Sequence, residues 1–121
     1  MKPLTDEERT IATEQRVNRI RELNDHARKH LGYSQVVLTR GISDKEPEAI
    51  DKILKTVSNY NLFSEDNDPY GEHDFGSFII NGETMYFKFD YYNKDMTQGS
   101  QDATDETKTT RVLTIMLASE Y

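Results

Sequence analysis

The sequence contains no cysteine and no long apolar run. The absence of cysteine excludes disulfides, thiolate zinc sites, iron–sulfur clusters and a cysteine nucleophile. No stretch approaches the roughly 18 consecutive apolar residues of a membrane span. The first residues, Met-Lys-Pro-Leu-Thr-Asp-Glu-Glu, lack the apolar segment of a secretory signal. We therefore expect a cytoplasmic protein without membrane segments.

The chain has the size and composition of one folded unit. Its 121 residues include 35% hydrophobic and 31% charged residues, with five Phe and seven Tyr. These aromatic residues argue against disorder along the whole length. We expect a single domain over residues 1–121, because a chain of this length supports one core.

Negative charge is concentrated in residues 64–106. This segment holds 11 Asp and Glu against two Lys, a net charge of −9, whereas the whole protein carries −7. Proteins that bind duplex nucleic acid need a basic surface, because phosphate neutralisation supplies most of their affinity. We therefore expect no direct nucleic-acid binding. The charge either keeps loops solvated or forms a surface for a basic partner.

The apolar periodicity predicts an α+β fold with the element order α-β-α-β-β-α. Thr5 and Glu8 have the spacing of a capping box, which predicts a first helix that ends at Gly32. The β-branched run that follows predicts a strand over 34–40. The expected sheet has three antiparallel strands, and three helices pack on it.

The two later helices are predicted from capping signals. Ser43 and Glu46 have capping-box spacing, and Pro47 falls in the first turn, where its missing N–H has no cost. After polar loops over 64–72 and 93–105, Thr104 or Asp105 is expected to cap a last, mostly buried helix.

Asn81-Gly82 predicts the turn of a β-hairpin, because both residues tolerate the positive φ that a two-residue turn needs. This turn determines the strand register. The expected pairs are Ile80 with Glu83, Phe78 with Met85, Gly76 with Phe87 and Asp74 with Phe89. One face of the hairpin, with Phe78, Ile80, Met85, Phe87, Phe89 and Tyr91, must then face the core.

If the register continues beyond Phe75, His73 faces Asp90 on the outer side of the hairpin. Such a pair orients the imidazole, as general-base chemistry and metal ligation both require. The pair could instead close the hairpin structurally or belong to a binding surface. A metal loop is not indicated, because Asp66-x-Asp68-x-x-Gly71 departs from the calcium-binding pattern after its third position.

The loop over 64–72, called the acidic loop below, and the outer face of the hairpin are the candidate partner-binding surface. We assign no catalytic residue, metal ligand or cofactor. The candidate residues are Asp66, Asp68, Tyr70, Glu72, His73, Asp74, Asp90 and Tyr92.

Several segments together resemble an uncharacterised bacterial family catalogued as a domain of unknown function. They are Asp-Asn-Asp-Pro-Tyr-Gly-Glu-His-Asp-Phe-Gly at 66–76, Phe-Asp-Tyr-Tyr at 89–92, and Thr-Thr-Arg-Val-Leu-Thr-Ile-Met-Leu-Ala at 109–118, followed by Glu120-Tyr121. Residues 19–25 of the first helix are similar as well. The resemblance transfers no catalytic residue.

The resemblance implies a bacterial accessory protein often carried on mobile elements. That setting implies a role against host defences, such as inhibition of a CRISPR effector or a restriction enzyme. Together with the charge, it leads us to expect a non-enzymatic protein whose partner has a basic, nucleic-acid-binding surface. The alternative is a small-molecule- or metal-dependent enzyme centred on His73 and Asp90. The oligomeric state is left open.

Overall fold

A computed structural model describes residues 2–121. It is an α+β fold with three helices and a four-stranded mixed sheet in the order β1-β4-β3-β2. Short 3₁₀ turns lie at Leu31–Tyr33 and Ala118–Glu120. The helices and strands are α1 (Asp6–Lys29), β1 (Gln35–Leu38), α2 (Arg40–Ser43), α3 (Pro47–Ser58), β2 (Phe75–Ile80), β3 (Glu83–Tyr92) and β4 (Thr110–Leu117).

Helix α1 begins as its sequence predicts. The Thr5 hydroxyl accepts a hydrogen bond from the Glu8 amide, and the Glu8 carboxylate accepts one from the Thr5 amide, each at 3.1 Å. The helix ends at Lys29, before the predicted Gly32, which lies in the 3₁₀ turn that follows. Its first half is exposed, and the buried face begins at Ile20.

The residue predicted to cap the next long helix, Ser43, was wrong. Ser43 ends the four-residue helix α2 instead of capping α3, and Glu46 is the N-cap of α3 without a side-chain hydrogen bond. Pro47 does occupy the first turn of α3, as predicted. The predicted strand over 34–40 is shorter, because Arg40 already belongs to α2.

The Asn81-Gly82 hairpin is confirmed together with its register. Both turn residues have positive φ, 51° and 79°. The predicted pairs from Ile80 with Glu83 to Gly76 with Phe87 are all present. Beyond the last strand pair, the Phe89 amide donates to the Asp74 carbonyl at 2.8 Å.

The predicted last helix was wrong, because residues 110–117 form strand β4. This strand is central, between β1 and β3, and it has buried side chains on both faces, Leu113 and Ile115 on one and Val112 and Met116 on the other. A strand buried on both faces has a nearly continuous apolar run, which periodicity alone cannot separate from a buried helix. Asp105 accepts hydrogen bonds from Thr107 in a tight turn instead of capping a helix.

The sheet is therefore not the predicted three-stranded antiparallel one. Strand β4 pairs with β3 in the antiparallel sense and with β1 in the parallel sense, with Gln35 opposite Val112 and Leu38 opposite Ile115. Sequence does not show this arrangement, because β1 and β4 lie more than 70 residues apart along the chain.

The core lies between the helices and one face of the sheet. It combines Ala27, Ile42, Ile53 and Val57 from the helices with side chains of β2, β3 and β4, including Phe78, Met85, Phe87, Phe89, Leu113 and Ile115. This confirms the predicted inner face of the hairpin. Within residues 2–121, no helix is both long and apolar enough to cross a membrane.

The opposite face of the sheet is partly exposed. Along each strand, alternate side chains point to this face. Phe75, Tyr86 and Tyr121 form an aromatic cluster on it, with ring centroids 5.1–6.2 Å apart, and Tyr121 meets the other two rings edge-to-face. Lys88 and Asp90 lie on the same face of β3. This is the surface that the candidate residues of the acidic loop adjoin.

Candidate functional site

The acidic loop between α3 and β2 is held by its own side chains. The Asn67 carboxamide accepts from the Ser64 amide and donates to the Leu62 carbonyl, each at 3.0 Å. The loop turns at Gly71, whose φ is +72°. Glycine adopts this conformation without the steric cost that other residues meet. The loop therefore has a defined path across the end of the hairpin.

His73 lies between two carboxylates, and neither of them is Asp90. Its Nδ1 is 2.8 Å from Asp25 Oδ1 on α1, and its Nε2 is 3.7 Å from Asp68 Oδ2. The Asp68 carboxylate also accepts a hydrogen bond from the His73 amide at 3.1 Å. The imidazole stacks on Phe63, with ring centroids 3.8 Å apart. His73 thus joins the loop to helix α1.

The predicted pair of His73 and Asp90 was wrong because the strand register does not reach His73. The residue has φ of +55°, outside the extended conformation of a strand, and β2 begins only at Phe75. Asp90 forms its ion pair with Lys88 at 2.8 Å. The hydrogen bond from this ammonium group to Asp90 raises the pKa of Lys88.

Arg28 is the most buried charged residue of the site, with 2% of its surface exposed. Its guanidinium donates to the carbonyls of Val57, Ser58 and Tyr60 at 2.9, 3.2 and 2.9 Å. It also donates to Asp25 at 3.1 Å. Arg28 therefore caps the C-terminal end of α3 and holds the carboxylate that faces His73.

A second buried group joins α1 to the sheet through Asn24, which is fully buried. Its amide nitrogen donates to the Glu72 carbonyl and the Tyr91 hydroxyl at 3.0 and 2.8 Å. Its oxygen accepts from Arg111 Nε at 2.6 Å. The Tyr91 hydroxyl donates to the Glu72 carboxylate, and burial raises the pKa of this hydroxyl.

Arg111 is also buried, with 4% of its surface exposed. It forms an ion pair with Glu106 and donates to the Ala103 carbonyl at 2.6 Å. Its guanidinium lies 5.1 Å from the centroid of the Tyr91 ring. These contacts attach the second polar loop, residues 93–105, to the side of the sheet that faces α1.

Asn24, Asp25 and Arg28 are site residues that the sequence did not predict. A usable signal was present, because Asn24 and Arg28 follow the buried Ile20 at helical spacing of four. Polar residues on the buried face of a helix must find hydrogen-bond partners. The partners themselves, in the loop and at the end of α3, depend on the tertiary structure.

The structure divides the eight candidate residues into two groups. Asp66 and Tyr70 are exposed, and Glu72, Asp74, Asp90 and Tyr92 are partly exposed. Asp68 is buried and His73 is held between carboxylates, so both stabilise the loop. The surface available to a partner is consequently formed by the exposed and partly exposed residues.

A cleft of about 460 Å³ opens beside His73 and is also lined by Asp25, Lys29, Asn59 and Phe63. The enzyme alternative expects such a cavity. A general base, however, needs a ring nitrogen that can reach a substrate, and here each nitrogen faces a carboxylate of the protein. Among residues 2–121, no group of three or more His, Cys, Asp or Glu residues is placed to hold a metal ion.

A groove of about 340 Å³ lies at the open end of the hairpin, bordered by Tyr70 and Tyr121. Both tyrosines are highly exposed, at 76% and 79%. The carboxyls of Asp74 and Asp90 line the groove. Burial, followed by the charges of Glu72, Asp68 and Asp90, raises the pKa of Asp74.

The fold and the site together define an α+β domain in which a buried polar network holds an acidic loop beside an open sheet face. The chain belongs to a family described as proteins of unknown function, DUF3768, whose model matches residues 38–120. This confirms the uncharacterised family that the sequence motifs indicate. No curated protein and no solved structure matches the chain.

Proposed function

We propose that this protein is a non-enzymatic binding protein that uses the acidic loop and the adjoining outer sheet face to engage a basic surface of another protein. The observation that carries the proposal is the unneutralised charge of this region. In the part of the chain that the structure describes, several of its carboxylates form no ion pair. They are Glu65, Asp66, Glu72 and Asp74.

The rigidity of the loop supports a binding role. A disordered acidic segment must lose conformational entropy when it binds, whereas a loop already held by hydrogen bonds loses less. Here Asn67, Asp68 and His73 hold the loop to itself and to α1. The exposed carboxylates at 65 and 66 are thus presented from a fixed backbone.

The partner class follows from the charge. Proteins that bind nucleic acid display rows of Lys and Arg for phosphate contacts, and a protein with a −9 segment complements such a surface. We therefore propose that the partner is a nucleic-acid-binding protein, such as a CRISPR effector or a restriction enzyme. The acidic surface would compete with nucleic acid for the same basic groove.

Capture from bacterial extract, followed by competition with labelled duplex DNA, tests this function. We expect the captured partner to lose DNA as this protein is added, and binding to weaken with rising salt because exposed charges are screened. Equal binding at low and high ionic strength, or a ternary complex that retains the DNA, would contradict the proposal.

A pair of double variants separates this surface from net charge. Glu65→Gln with Asp66→Asn removes two exposed charges from the loop, and Glu7→Gln with Glu14→Gln removes two exposed charges from α1. The loop variant should weaken binding by between about fivefold and thirtyfold, because each exposed ion pair with the partner contributes about 0.5–1 kcal/mol. The α1 variant should change it by less than about twofold; equal effects would refute the assigned surface.

A further inference from the structure

One carboxylate in the groove between Tyr70 and Tyr121 forms no ion pair within residues 2–121. Lys88 and Asp90 also line the groove, and they form an ion pair with each other at 2.8 Å. Asp74, in contrast, forms no ion pair with any described residue. A partly buried carboxylate is costly to keep charged unless a cation or hydrogen-bond donors compensate for its lost hydration. The Asp74 carboxylate is therefore the group in the groove that a cation from a partner would stabilise.

The aromatic side chains that line the groove favour a planar cation. Tyr70 and Tyr121 stand on its border, and Phe75 and Phe89 also line it. The Tyr121 ring is held edge-on by Phe75 and Tyr86, with centroids 6.2 and 5.8 Å away. An aromatic wall beside a carboxylate suits a flat cation that can stack and donate hydrogen bonds at the same time.

We propose that this groove binds one arginine side chain of a partner protein, with the guanidinium on Asp74 and its flat face on the tyrosines. The inference rests on the proposed function, since it names the group that the basic partner inserts. Arginine fits better than lysine because its planar fork donates two parallel hydrogen bonds to one carboxylate and is more weakly hydrated. A metal ion fits less well, since no described cluster of ligands surrounds Asp74.

Titration with three blocked tripeptides, followed by amide chemical shifts, tests the occupant. The probes are acetyl-Gly-Arg-Gly-amide, its lysine analogue and its neutral citrulline analogue. We expect the arginine peptide to shift the amides of Tyr70, Asp74 and Tyr121. The lysine peptide should bind at least about threefold more weakly, and the citrulline peptide should not bind measurably. Equal binding of arginine and citrulline peptides, or shifts confined to other regions, would overturn the proposal.

Two variants of equal charge locate the contact. Asp74→Asn should weaken the arginine peptide about tenfold, the equivalent of one charge-assisted contact, whereas Asp6→Asn, exposed at the start of α1, should change it by less than about twofold. Tyr70→Ala should weaken binding as well, because it removes one aromatic ring from the groove. The fold should remain intact, because Tyr70 is exposed. Equal losses for Asp74→Asn and Asp6→Asn would reject the groove.

A nona-arginine peptide separates this inference from the proposed function. If the nonapeptide binds wild type with strong salt dependence but the arginine tripeptide does not bind the groove, the acidic surface stands and the arginine groove is rejected. If neither peptide binds, both are rejected. Binding of both peptides, with only the tripeptide sensitive to Asp74→Asn, supports both.

Discussion

Replacing Arg28 with methionine should destabilise the protein more than any exposed charge change. Methionine keeps an apolar stem of similar length but removes a guanidinium that is 2% exposed and makes four hydrogen bonds. The carbonyls of Val57 and Tyr60 then lose this donor, and the Asp25 carboxylate keeps its contact with His73 but loses the guanidinium. Breaking a buried pair by removing one partner costs about 3–5 kcal/mol.

Urea unfolding followed by circular dichroism measures this cost. With a slope of about 1.5 kcal/mol per molar urea, a loss of about 4 kcal/mol lowers the unfolding midpoint by between about 2 and 3 M. Such a loss is a large part of the ~5–15 kcal/mol stability of a typical domain. Arg28→Lys should fall between wild type and Arg28→Met, because one ammonium cannot reach all of these acceptors.

Arg19→Met is the matched control on the same helix. Arg19 forms an exposed pair with Glu22 at 3.6 Å, and exposed pairs of this kind contribute less than about 1 kcal/mol. If Arg28→Met and Arg19→Met lower the midpoint equally, the structural role assigned to Arg28 is wrong. If Arg28→Met does not fold, the comparison of Arg28→Lys with Arg19→Met decides the question.

Two further predictions concern packing and pH. Gly76→Ala should lower the free energy of unfolding by about 1–3 kcal/mol in the same urea assay, because its Cβ would overlap the Phe87 ring and lie 2.8 Å from the Tyr60 ring. Gly32→Ala is the control, because no atom lies within 4 Å of its Cβ, and it should not destabilise the protein. The Thr104 hydroxyl and then its amide, both donating to Asp102, hold the pKa of that carboxyl below its ordinary value, so Thr104→Val should raise the pKa in an NMR titration. The stability that Asp102 contributes is present above its unfolded-state pKa of about 3.9 and is lost as pH falls through the lowered folded pKa; an unchanged titration in Thr104→Val would contradict the assignment.

Local features of the chain were predictable because they depend on neighbouring residues. The capping box at Thr5 and Glu8, the turn at Asn81-Gly82 and the inner face of the hairpin all follow from spacings of two to four residues. The hairpin register then follows from the length of the turn. The acidic character of the loop is a property of composition alone.

The wrong cap of α3 is a local error, because Ser43 belongs to the preceding helix α2. The wrong predictions of the last helix and of the His73–Asp90 pair share another cause, since each depends on a partner that is distant in sequence. Residues 110–117 form a strand because β1 and β3 supply hydrogen-bond partners along both of its edges. The apolar run of residues 110–117 suits a strand that is buried on both faces. His73 met Asp25 instead of Asp90 because the loop, and not the strand, determines its backbone.

By itself, the sequence determined the α+β class, the hairpin with its buried aromatic face, and the place where negative charge collects. Only the tertiary structure decided which charges remain available to a partner. Asp68 and His73 are held within the protein, whereas Asp66 and Tyr70 are exposed and Asp74 remains without a cation. The reason is that burial and ion pairing depend on contacts between α1, the loop and the sheet, which no local pattern specifies.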